Sequence, residues 1–433
     1  MRFAILTLGC KVNQYESQAL EQAGVLRGHE LCGADDPGHL DAYIVNTCTV
    51  TAVSDQKNRQ LIRRLRREHP NAALAVCGCF PQIHPGAAEE LGADLVCGTG
   101  DRGGFWAALE GVLAEEKGRI VTRVDNALKR REFEELPAGG LSGRTRALLK
   151  VEDGCCNFCS YCIIPYARGP VRSLPLEKAA EQAAKLAAEG FLELVVNGIE
   201  ISSWGQDLPG KPTLIDLLEA LSRAAPGVRL RLGSLEPRTI DEDFCRRAAA
   251  LPNLCPHFHL SLQSGCDKTL KAMNRKYDSA RYLRSVELLR EHFDDPGITT
   301  DLIVGFPGET EEDFQKSLAF VEKCAFSALH IFPYSRRPGT PADKLPGQVP
   351  TAEKKRRAAQ AAQTAETLRL AYWRRQVGKT FPVLFEEEKG GLWQGHAPNY
   401  AAVRAVGKNL HNQVRQVHIT GAGKESLLGE IVR

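Results

Sequence analysis

Three cysteines stand close together in the stretch GCCNFCSYCIIPYARG, which runs from Gly154 to Gly169. Their spacing is C-x3-C-x2-C, with Cys155, Cys159 and Cys162 as its members. Thiolates this close in a short loop point at one volume and repel one another as anions, so we expect a metal centre to hold them. Three thiolates can bind three irons of a cubane iron–sulfur cluster and leave the fourth iron open for chemistry.

Zinc is the alternative metal for this loop. Structural zinc sites usually combine C-x2-C pairs with a fourth ligand, and no second pair or nearby histidine completes this set. The pattern therefore favours an iron–sulfur cluster, with zinc or ordinary core cysteines as the remaining interpretations. Cys156 is an additional thiol in the same stretch, and we expect it to be a bystander, although it could compete for a ligand position.

A second set of three cysteines is spread over the N-terminal part of the chain. Cys10 in TLGCKVNQYES, Cys48 in VNTCTVT and Cys79 in CGCFPQ each follow a short apolar run and open a turn. In parallel α/β sheets, ligands gather at the carboxyl ends of the strands, so these thiols are expected to meet at one sheet edge. We expect the other cysteines to be core or structural residues: Cys32, Cys77, Cys97, Cys245, Cys255, Cys266 and Cys324.

Composition indicates an ordinary globular protein of several domains. The chain has 433 residues, of which 43% are hydrophobic and 25% charged, and its net charge is +3. With so small a net charge, a polyanionic partner would have to be bound by local basic patches. The first residues do not resemble a signal peptide, and no apolar stretch approaches the roughly 20 residues that span a bilayer. We therefore expect a cytoplasmic protein with reduced thiols and no membrane association.

Residues 1–138 alternate strands with helices, which predicts a doubly wound α/β domain. A linker rich in charge and glycine is expected over 119–146. The predicted strands are Phe3–Thr7, Tyr43–Asn46, Leu74–Cys77 and Leu95–Cys97, and the predicted helices are Asn13–Arg27, Thr51–Glu68 and Asp101–Glu116. The second helix carries a basic cluster that could contact phosphates or simply face solvent, and its members are Arg59, Arg63, Arg64, Arg66 and Arg67.

Residues 139–375 alternate six strand-like runs with helices, which predicts a partial (β/α)6 barrel with the cysteine loop after its first strand. The predicted strands are Leu148–Val151, Leu194–Asn197, Val228–Leu232, Phe258–Leu262, Thr299–Val304 and Leu329–Phe332. Active-site groups of barrels lie at the carboxyl ends of strands. The expected wall of the site is therefore Asn197, Gly198, Ser234, Glu236, Gln263, Ser264 and residues 305–308.

Residues 376–433 predict a small antiparallel β-barrel, because short β runs follow one another at close intervals. These runs are Phe381–Phe385, Tyr400–Val403, Val414–Ile419 and Leu427–Val432. A long helix over 351–379 precedes them, and its basic runs, Lys354 to Arg357 and Arg374 with Arg375, could follow an RNA backbone or face solvent. Small barrels often bind nucleic acid, and a dimerisation or structural module is the alternative. Candidate contacts are Arg404, Lys408, Arg415 and His418.

These motifs resemble the methylthiotransferases of the radical S-adenosylmethionine (SAM) superfamily over essentially the whole chain. The resemblance rests on the three N-terminal cysteine motifs, the cysteine loop, LSLQSGCDKTLKAMNR, DLIVGFPGETEEDF and FPYSRRPGTPA, while VLFEEEKGGLWQGHAPNYAAVR resembles the tRNA-binding TRAM domain. It implies two [4Fe-4S] clusters: Cys155, Cys159 and Cys162 hold the one that binds SAM, and Cys10, Cys48 and Cys79 hold an auxiliary one. Implied SAM contacts are Tyr161, Asn197, Gly198, Ser234 and Glu236.

The resemblance also implies a reaction, the insertion of a methylthio group at C2 of a modified adenosine 37 in tRNA. The opening LGCKVN is similar to the branch that acts on N6-threonylcarbamoyladenosine. The C2 hydrogen is not acidic in any range that a side-chain base reaches, so a radical route is required. The implied partners are the tRNA anticodon stem-loop and an electron donor such as flavodoxin, with the sulfur donor left open. Alternatives are isopentenyladenosine tRNA or a ribosomal protein as substrate, or a non-catalytic iron–sulfur RNA-binding protein.

Overall fold

The computed structural model describes residues 1–114, 120–137 and 145–432, which form three structural units. The boundary predicted between residues 138 and 139 lies outside the described residues. So do the last two residues of the helix predicted at Asp101–Glu116 and parts of the linker predicted over 119–146. Every described helix is too short or too polar to cross a lipid bilayer.

The N-terminal unit is a parallel sheet covered by helices on both faces. Its elements are β1 (Arg2–Thr7), α1 (Lys11–Leu26), β2 (Glu30–Leu31), β3 (Ala42–Thr47), α2 (Ala52–Glu68), β4 (Ala73–Gly78), α3 (Cys79–Ile83), α4 (Pro85–Glu90), β5 (Leu95–Cys97), α5 (Phe105–Ala114) and β6 (Val121–Arg123). The strand order is β2-β1-β3-β4-β5-β6, and all neighbours are parallel. Phe3 and Ile44 pack against α1 and α5, whereas Ala4 and Val45 pack against α2, α3 and α4. This alternation confirms the predicted doubly wound domain.

The central unit contains all six predicted βα units. Its elements are β7 (Arg146–Lys150), β8 (Glu152–Asp153), α6 (Ile164–Arg168), β9 (Arg172–Ser173), α7 (Leu176–Ala188), β10 (Glu193–Asn197), α8 (Leu214–Ala224), β11 (Arg229–Leu232), β12 (Ser234–Leu235), α9 (Glu242–Ala249), β13 (His257–Leu260), α10 (Asp267–Ala272), α11 (Ser279–His292), β14 (Gly297–Val304), α12 (Glu311–Cys324) and β15 (Ala328–Pro333). The large strands form two parallel sheets, β11-β10-β7 and β12-β13-β14-β15. One extended segment is interrupted at Gly233. The part before it, β11, pairs in the first sheet, and the part after it, β12, pairs in the second. This segment thereby joins the two sheets into the predicted partial barrel.

The C-terminal unit is a closed barrel of five strands that follows a long helix. Its elements are α13 (Thr351–Gln376), β16 (Thr380–Lys389), β17 (Leu392–His396), β18 (Ala402–Ala405), β19 (Gln413–Ala422) and β20 (Leu427–Ile431). The strand order is β16-β17-β18-β20-β19, and β18 pairs with β20 in parallel, so the prediction of a wholly antiparallel barrel is wrong in this pair. The predicted runs do not include β17, and β16 extends through a charged stretch to Lys389, beyond the predicted end at Phe385. The turn between these two strands is confined to Gly390 and Gly391, both at positive φ.

The barrel covers the amino ends of the central strands through a buried arginine. Arg231 donates two hydrogen bonds to Glu193, at 2.6 and 3.0 Å, and one to the carbonyl oxygen of Pro398 at 2.9 Å. A Cβ atom at Gly297 would lie 2.1 Å from the carbonyl oxygen of Asn399, so no side chain fits between the units at that point. The two units are therefore fixed to each other by a desolvated ion pair and close backbone packing.

Substitution of Arg231 by methionine is expected to loosen this contact. The change would leave the Glu193 carboxylate buried without its partner, which costs about 3–5 kcal/mol. We expect a clear fall in the midpoint of thermal unfolding, measured by circular dichroism. Arg223→Met is the matched control, because Arg223 is exposed. Equal midpoints for the two variants would contradict the importance of the Arg231 pair.

Candidate active site

The three N-terminal cysteines lie at the carboxyl ends of three adjacent strands. Cys10 follows β1, Cys48 follows β3 and Cys79 follows β4. The chain leaves β1 toward α1 on one face of the sheet and leaves β3 toward α2 on the other. A crevice opens where successive connections diverge in this way, and this is where open α/β sheets bind their ligands. The predicted meeting of the three thiols at one sheet edge is thus present in the fold.

Buried polar groups fix the loops that carry these thiols. The Asn13 side chain donates to the carbonyl oxygen of Thr47 at 2.8 Å and accepts a hydrogen bond from the Cys10 thiol at 3.3 Å. Asn58 donates to the carbonyl oxygen of Cys48 at 2.6 Å. A Cβ atom at Gly9 would lie 2.8 Å from that of Cys48, and Gly9 has a φ of +129°, so glycine is required there.

Burial makes two of these thiols, Cys48 and Cys79, poor acids in the absence of a metal. It raises the pKa of Cys79 to about 12, a shift that Arg168 opposes and that Cys48 and Cys10 increase. Burial likewise raises the pKa of Cys48. Cys77 is also fully buried, but it packs with Cys97 on the opposite face of the sheet, as predicted for core residues. Three thiols at one sheet edge, with the Arg168 guanidinium near Cys79, are a donor set that suits a polynuclear metal cluster.

The second cysteine set lies on a loop that a short antiparallel pair closes at its base. In this pair β8 lies against β9, and the backbone amide of Cys155 donates to the carbonyl oxygen of Gly169 at 3.0 Å. A Cβ atom at Gly154 would lie 2.0 Å from the carbonyl oxygen of Pro170, so only glycine permits this closure. Burial, followed by the proximity of Cys159, raises the pKa of Cys162 to about 12.

The spread of the sulfur atoms bears on the choice between zinc and a cluster. Around one zinc ion with bonds of about 2.3 Å, ligand sulfurs lie roughly 3.8 Å apart. Within the described part of the chain, neither cysteine set has all three sulfur atoms within 4.8 Å of one another. Each set is therefore wider than a single-ion site, and the larger cubane cluster fits it better.

A buried ion network joins the two cysteine regions. The Arg168 guanidinium, fully buried at the end of the cysteine loop, contacts both oxygens of Glu16, Asp153 at 3.4 Å and Asn13 at 3.3 Å. Lys150 also bridges Glu16 at 3.1 Å and Asp153 at 2.7 Å. The two remaining cations are Arg102, at 3.1 Å from Glu16, and Arg172, at 3.3 Å from Asp153.

The charges of this network do not cancel. Four cations face Glu16 and Asp153, and with Glu134 beside Arg102 the group still has a net positive charge. Burial works against ionisation of Glu16, yet Arg168, Lys150 and Arg102 hold the pKa of this carboxyl well below its usual range. The excess charge lies beside Cys79, where it would stabilise an anionic thiolate-bound cluster.

A second contact fastens the Cys48 loop to the central unit. Arg337, in the segment after β15, donates to Asp55 and to the Thr49 hydroxyl, both at 2.7 Å, and is almost completely buried. Nearby, the backbone amide of Ala52 donates to the Ser335 hydroxyl at 3.0 Å. The N-terminal unit is thus held against the central barrel on both sides of its cysteine crevice.

A cavity of about 690 Å³ lies where the three units meet. Cys10 and Lys11 line it from the N-terminal unit, strand residues of the partial barrel form its walls, and Tyr400 enters from the C-terminal barrel. Three of the five predicted SAM contacts also line it, namely Asn197, Gly198 and Ser234. Asn197 is buried, and neither polar atom of its side chain has a partner in the described structure. An orphaned amide at a strand end indicates a place for a polar ligand.

The other predicted site residues lie elsewhere. Glu236 is buried at its strand end and receives hydrogen bonds from Arg238 at 2.9 and 3.0 Å. Tyr161 packs in a small apolar cluster with Phe306 and Tyr334. Ser264 is 3.1 Å from the Ser317 hydroxyl and thus faces α12, so its prediction as a wall residue is wrong.

Most of the polar residues inside the barrel are not among the predicted site residues. His259, Asp301 and His330 line the cavity on neighbouring strands, and their ligand-type atoms all lie within 4.8 Å of one another. His259 is 3.3 Å from Asp301 and 3.0 Å from the Thr299 hydroxyl. The available signal was polar residues at every second position of strands predicted to be buried, as in the motif HFHL.

The comparisons with known proteins match this architecture. Residues 149–321 match the Radical SAM superfamily, and residues 2–98 match a family described as Uncharacterized protein family UPF0004. The threonylcarbamoyladenosine tRNA methylthiotransferase MtaB of Thermotoga maritima is 36% identical, over 98% of this chain and 95% of its own. The chain belongs to the radical SAM methylthiotransferase family. Each of its two cysteine sets lies in one of the matched regions.

Other relatives in this family carry a different substrate in their names. A tRNA-2-methylthio-N(6)-dimethylallyladenosine synthase of Pelotomaculum thermopropionicum is 34% identical over 99% of this chain and 97% of its own. Among solved structures, the radical S-adenosylmethionine methyltransferase TsrM of Kitasatospora setae shares the fold, with a TM-score of 0.56 and 18% identity over 91% of this chain and 80% of its own. The radical SAM region of a methylthiotransferase implies a [4Fe-4S] cluster and SAM.

The structure divides the predicted basic patches into packed and free residues. Arg357 is buried against Glu309 at 2.7 Å, and Arg66 pairs with Asp94, so both serve packing. Arg63 and Lys408 are exposed. RNA contact stays a prediction for the exposed positions. Most of the basic residues at the start of α13 instead form contacts within the protein.

Removal of the Glu16 charge is expected to weaken the docking of the two cysteine regions. Glu16→Gln keeps the shape but leaves Arg168, Lys150 and Arg102 without their shared anion, at a cost of about 3–5 kcal/mol. We expect faster amide hydrogen exchange in the cysteine loop and earlier thermal unfolding. The exposed Glu90→Gln is the control. Unchanged exchange in Glu16→Gln would show that the network does not fix the loop.

Proposed function

We propose that this methylthiotransferase acts on tRNA carrying N6-threonylcarbamoyladenosine at position 37 and converts it to the 2-methylthio derivative. The observation that supports this substrate is the set of ionisable and hydroxyl side chains on the cavity wall. Lys11, His259, Asp301 and His330 line the cavity together with Ser234. A threonylcarbamoyl group carries a hydroxyl, a carboxylate and amide groups that such walls can bind, whereas an isopentenyl group has no polar atom.

The relatives alone leave the substrate open, because enzymes named for either nucleoside are 34–36% identical to this chain. The dimethylallyl nucleoside is therefore the second candidate. An apolar substituent would have to displace water from charged and imidazole side chains without replacing their hydrogen bonds, which is unfavourable.

We assign the residues of the site as follows. Cys155, Cys159 and Cys162 would hold the cluster that binds SAM, and Cys10, Cys48 and Cys79 would hold an auxiliary cluster. SAM with its cluster supplies radical chemistry at a carbon–hydrogen bond that no side-chain base can ionise. Asn197 would orient a polar group of SAM with its unpaired amide, and the other proposed SAM contacts are Tyr161, Gly198, Ser234 and Glu236.

The surrounding protein has two tasks in this proposal, positioning and exclusion of water. The ion network around Arg168 sets the orientation of the two cysteine regions. Residues 1–138, 139–375 and 376–433 would act as the auxiliary-cluster domain, the radical SAM domain and an RNA-binding domain. The last would grip the anticodon stem through exposed cations, including Arg415 and Lys408.

The activity is tested by mass spectrometry of nucleosides after an anaerobic reaction. The protein is loaded with iron and sulfide, then mixed with SAM, a reductant and threonylcarbamoylated tRNA. We expect the threonylcarbamoyl nucleoside to gain one methylthio group in place of hydrogen. Modification of isopentenylated tRNA alone would favour the second candidate, and SAM cleavage without modification of either RNA would refute both tRNA substrates.

The assignment of the two cysteine sets is tested by single substitutions. Cys48→Ala is expected to retain SAM cleavage to 5′-deoxyadenosine, to lose thiolation and to bind about four irons per chain where the parent binds about eight. Cys159→Ala should lose both reactions, since it lacks a ligand of the SAM-binding cluster. Cys156→Ala is the control and should retain both. Normal thiolation by Cys48→Ala would refute the auxiliary cluster.

A further inference from the structure

Lys11 is a cation without a partner at the edge of the active-site cavity. It directly follows Cys10, begins α1 and lines the cavity. Among the described residues, no hydrogen bond or ion pair engages its ammonium group. Most other cations near the cavity already form ion pairs, since Arg231 pairs with Glu193 and Arg146 pairs with Glu386 at 3.0 Å.

The charges around Lys11 favour an anion as its partner. Tyr400, Arg146, Arg231 and Glu193 are its electrostatic neighbours. Both oxygens of Glu193 already accept hydrogen bonds from Arg231, so that carboxylate is not free to neutralise Lys11. A small anion that enters the cavity would meet an unpaired ammonium group in a region of surplus positive charge.

The cavity contains one carboxylate that could oppose such an anion. Asp301 lies on β14, and its Oδ2 atom faces the Nε2 atom of His259 at 3.3 Å. The charged groups with the largest influence on Lys11 are Tyr400, Arg146, Arg231 and Glu193. The cavity wall therefore carries an Asp301–His259 pair and, at Lys11, an unpaired cation that would attract an anionic group.

We propose that Lys11 binds the carboxylate of the threonylcarbamoyl group and thereby selects the anionic nucleoside over neutral modified adenosines. In adenine, C2 and the N6 substituent lie on the same edge of the base, on either side of N1. A base with C2 turned toward the Cys10 side of the cavity therefore brings its N6 substituent to the same side. Lys11, one residue from Cys10, is placed to meet it. This inference rests on the proposed function.

The expected size of the effect follows from the strength of a hydrogen bond to a charged group, about 1.5–3 kcal/mol. At about 1.4 kcal/mol per factor of ten, this corresponds to a preference of roughly 10- to 100-fold. The preference should appear in binding of the RNA and in kcat/KM for thiolation, because the carboxylate is present in the substrate and in the product.

The test compares two anticodon stem-loop RNAs that differ only in whether one group is a carboxylate or a carboxamide. One carries threonylcarbamoyladenosine, and the other carries its carboxamide, which is neutral and of nearly the same shape. Dissociation constants are measured by fluorescence anisotropy, and thiolation is followed by mass spectrometry. We expect the parent enzyme to prefer the carboxylate RNA about 10- to 100-fold. Lys11→Met should lose this preference without weaker binding of the carboxamide RNA, and Lys11→Arg should keep it.

Two controls separate specificity from damage to the neighbouring cysteine. Iron content is measured in each variant, and Lys11→Gln replaces Lys11→Met if methionine lowers it. Lys323→Met, at an exposed lysine on α12, should behave as the parent enzyme.

The outcomes are distinguishable. A preference that survives in Lys11→Met overturns the inference. Equal weakening of both RNAs would overturn it too, because it would mean that Lys11 contacts a backbone phosphate. A parent enzyme that thiolates both RNAs equally well refutes the role of Lys11 and leaves the proposed function intact. An enzyme that thiolates isopentenylated RNA alone refutes the proposed function and this inference together.

Discussion

The structure depends most on the buried contact between Arg168 and Glu16. The N-terminal sheet and the partial barrel each carry three cysteines, and neither unit alone brings the two sets together. Arg168 ends the cysteine loop, and Glu16 lies on α1, nearly two helical turns beyond Cys10. A charge pair this deeply buried is tolerated only with its partners in place, since an unpaired charge there is costly. The network therefore enforces one relative orientation of the two cysteine regions.

The cavity also depends on the relative orientation of the units, because no single unit encloses it. The partial barrel leaves an open side, which α1 and the Cys10 loop close, while Tyr400 and α13 reach it from the C-terminal part. Tyr400 stacks between His257 and His396, with ring centroids 4.6 and 4.8 Å apart, and has a positive φ that a bulky residue seldom adopts. Each unit thus contributes residues to the cavity wall, and the polar side chains inside the barrel determine which ligands bind there.

The three units, the six central strands and the two cysteine sets could be predicted from the sequence, because hydrophobic periodicity, turn residues and cysteine spacing are local signals. The sequence was not sufficient for contacts between distant segments. Arg168 and Glu16 are 152 positions apart, and nothing local distinguishes Glu16 from a solvated helix residue. Arg357 sits in a basic run that predicts an exposed face, yet it pairs with buried Glu309. The parallel pairing of β18 with β20 likewise follows from barrel closure and not from either strand.

The central proposal is that both cysteine sets hold clusters that serve one active site. Electron paramagnetic resonance of the fully reduced protein tests it most directly. Single-cluster spectra come from Cys48→Ala and Cys159→Ala, each of which must give its own signal. Two clusters held on either side of the Arg168 network should interact magnetically, so the parent spectrum should be broadened relative to the sum of the single-cluster spectra. A parent spectrum equal to that sum would contradict the proposal.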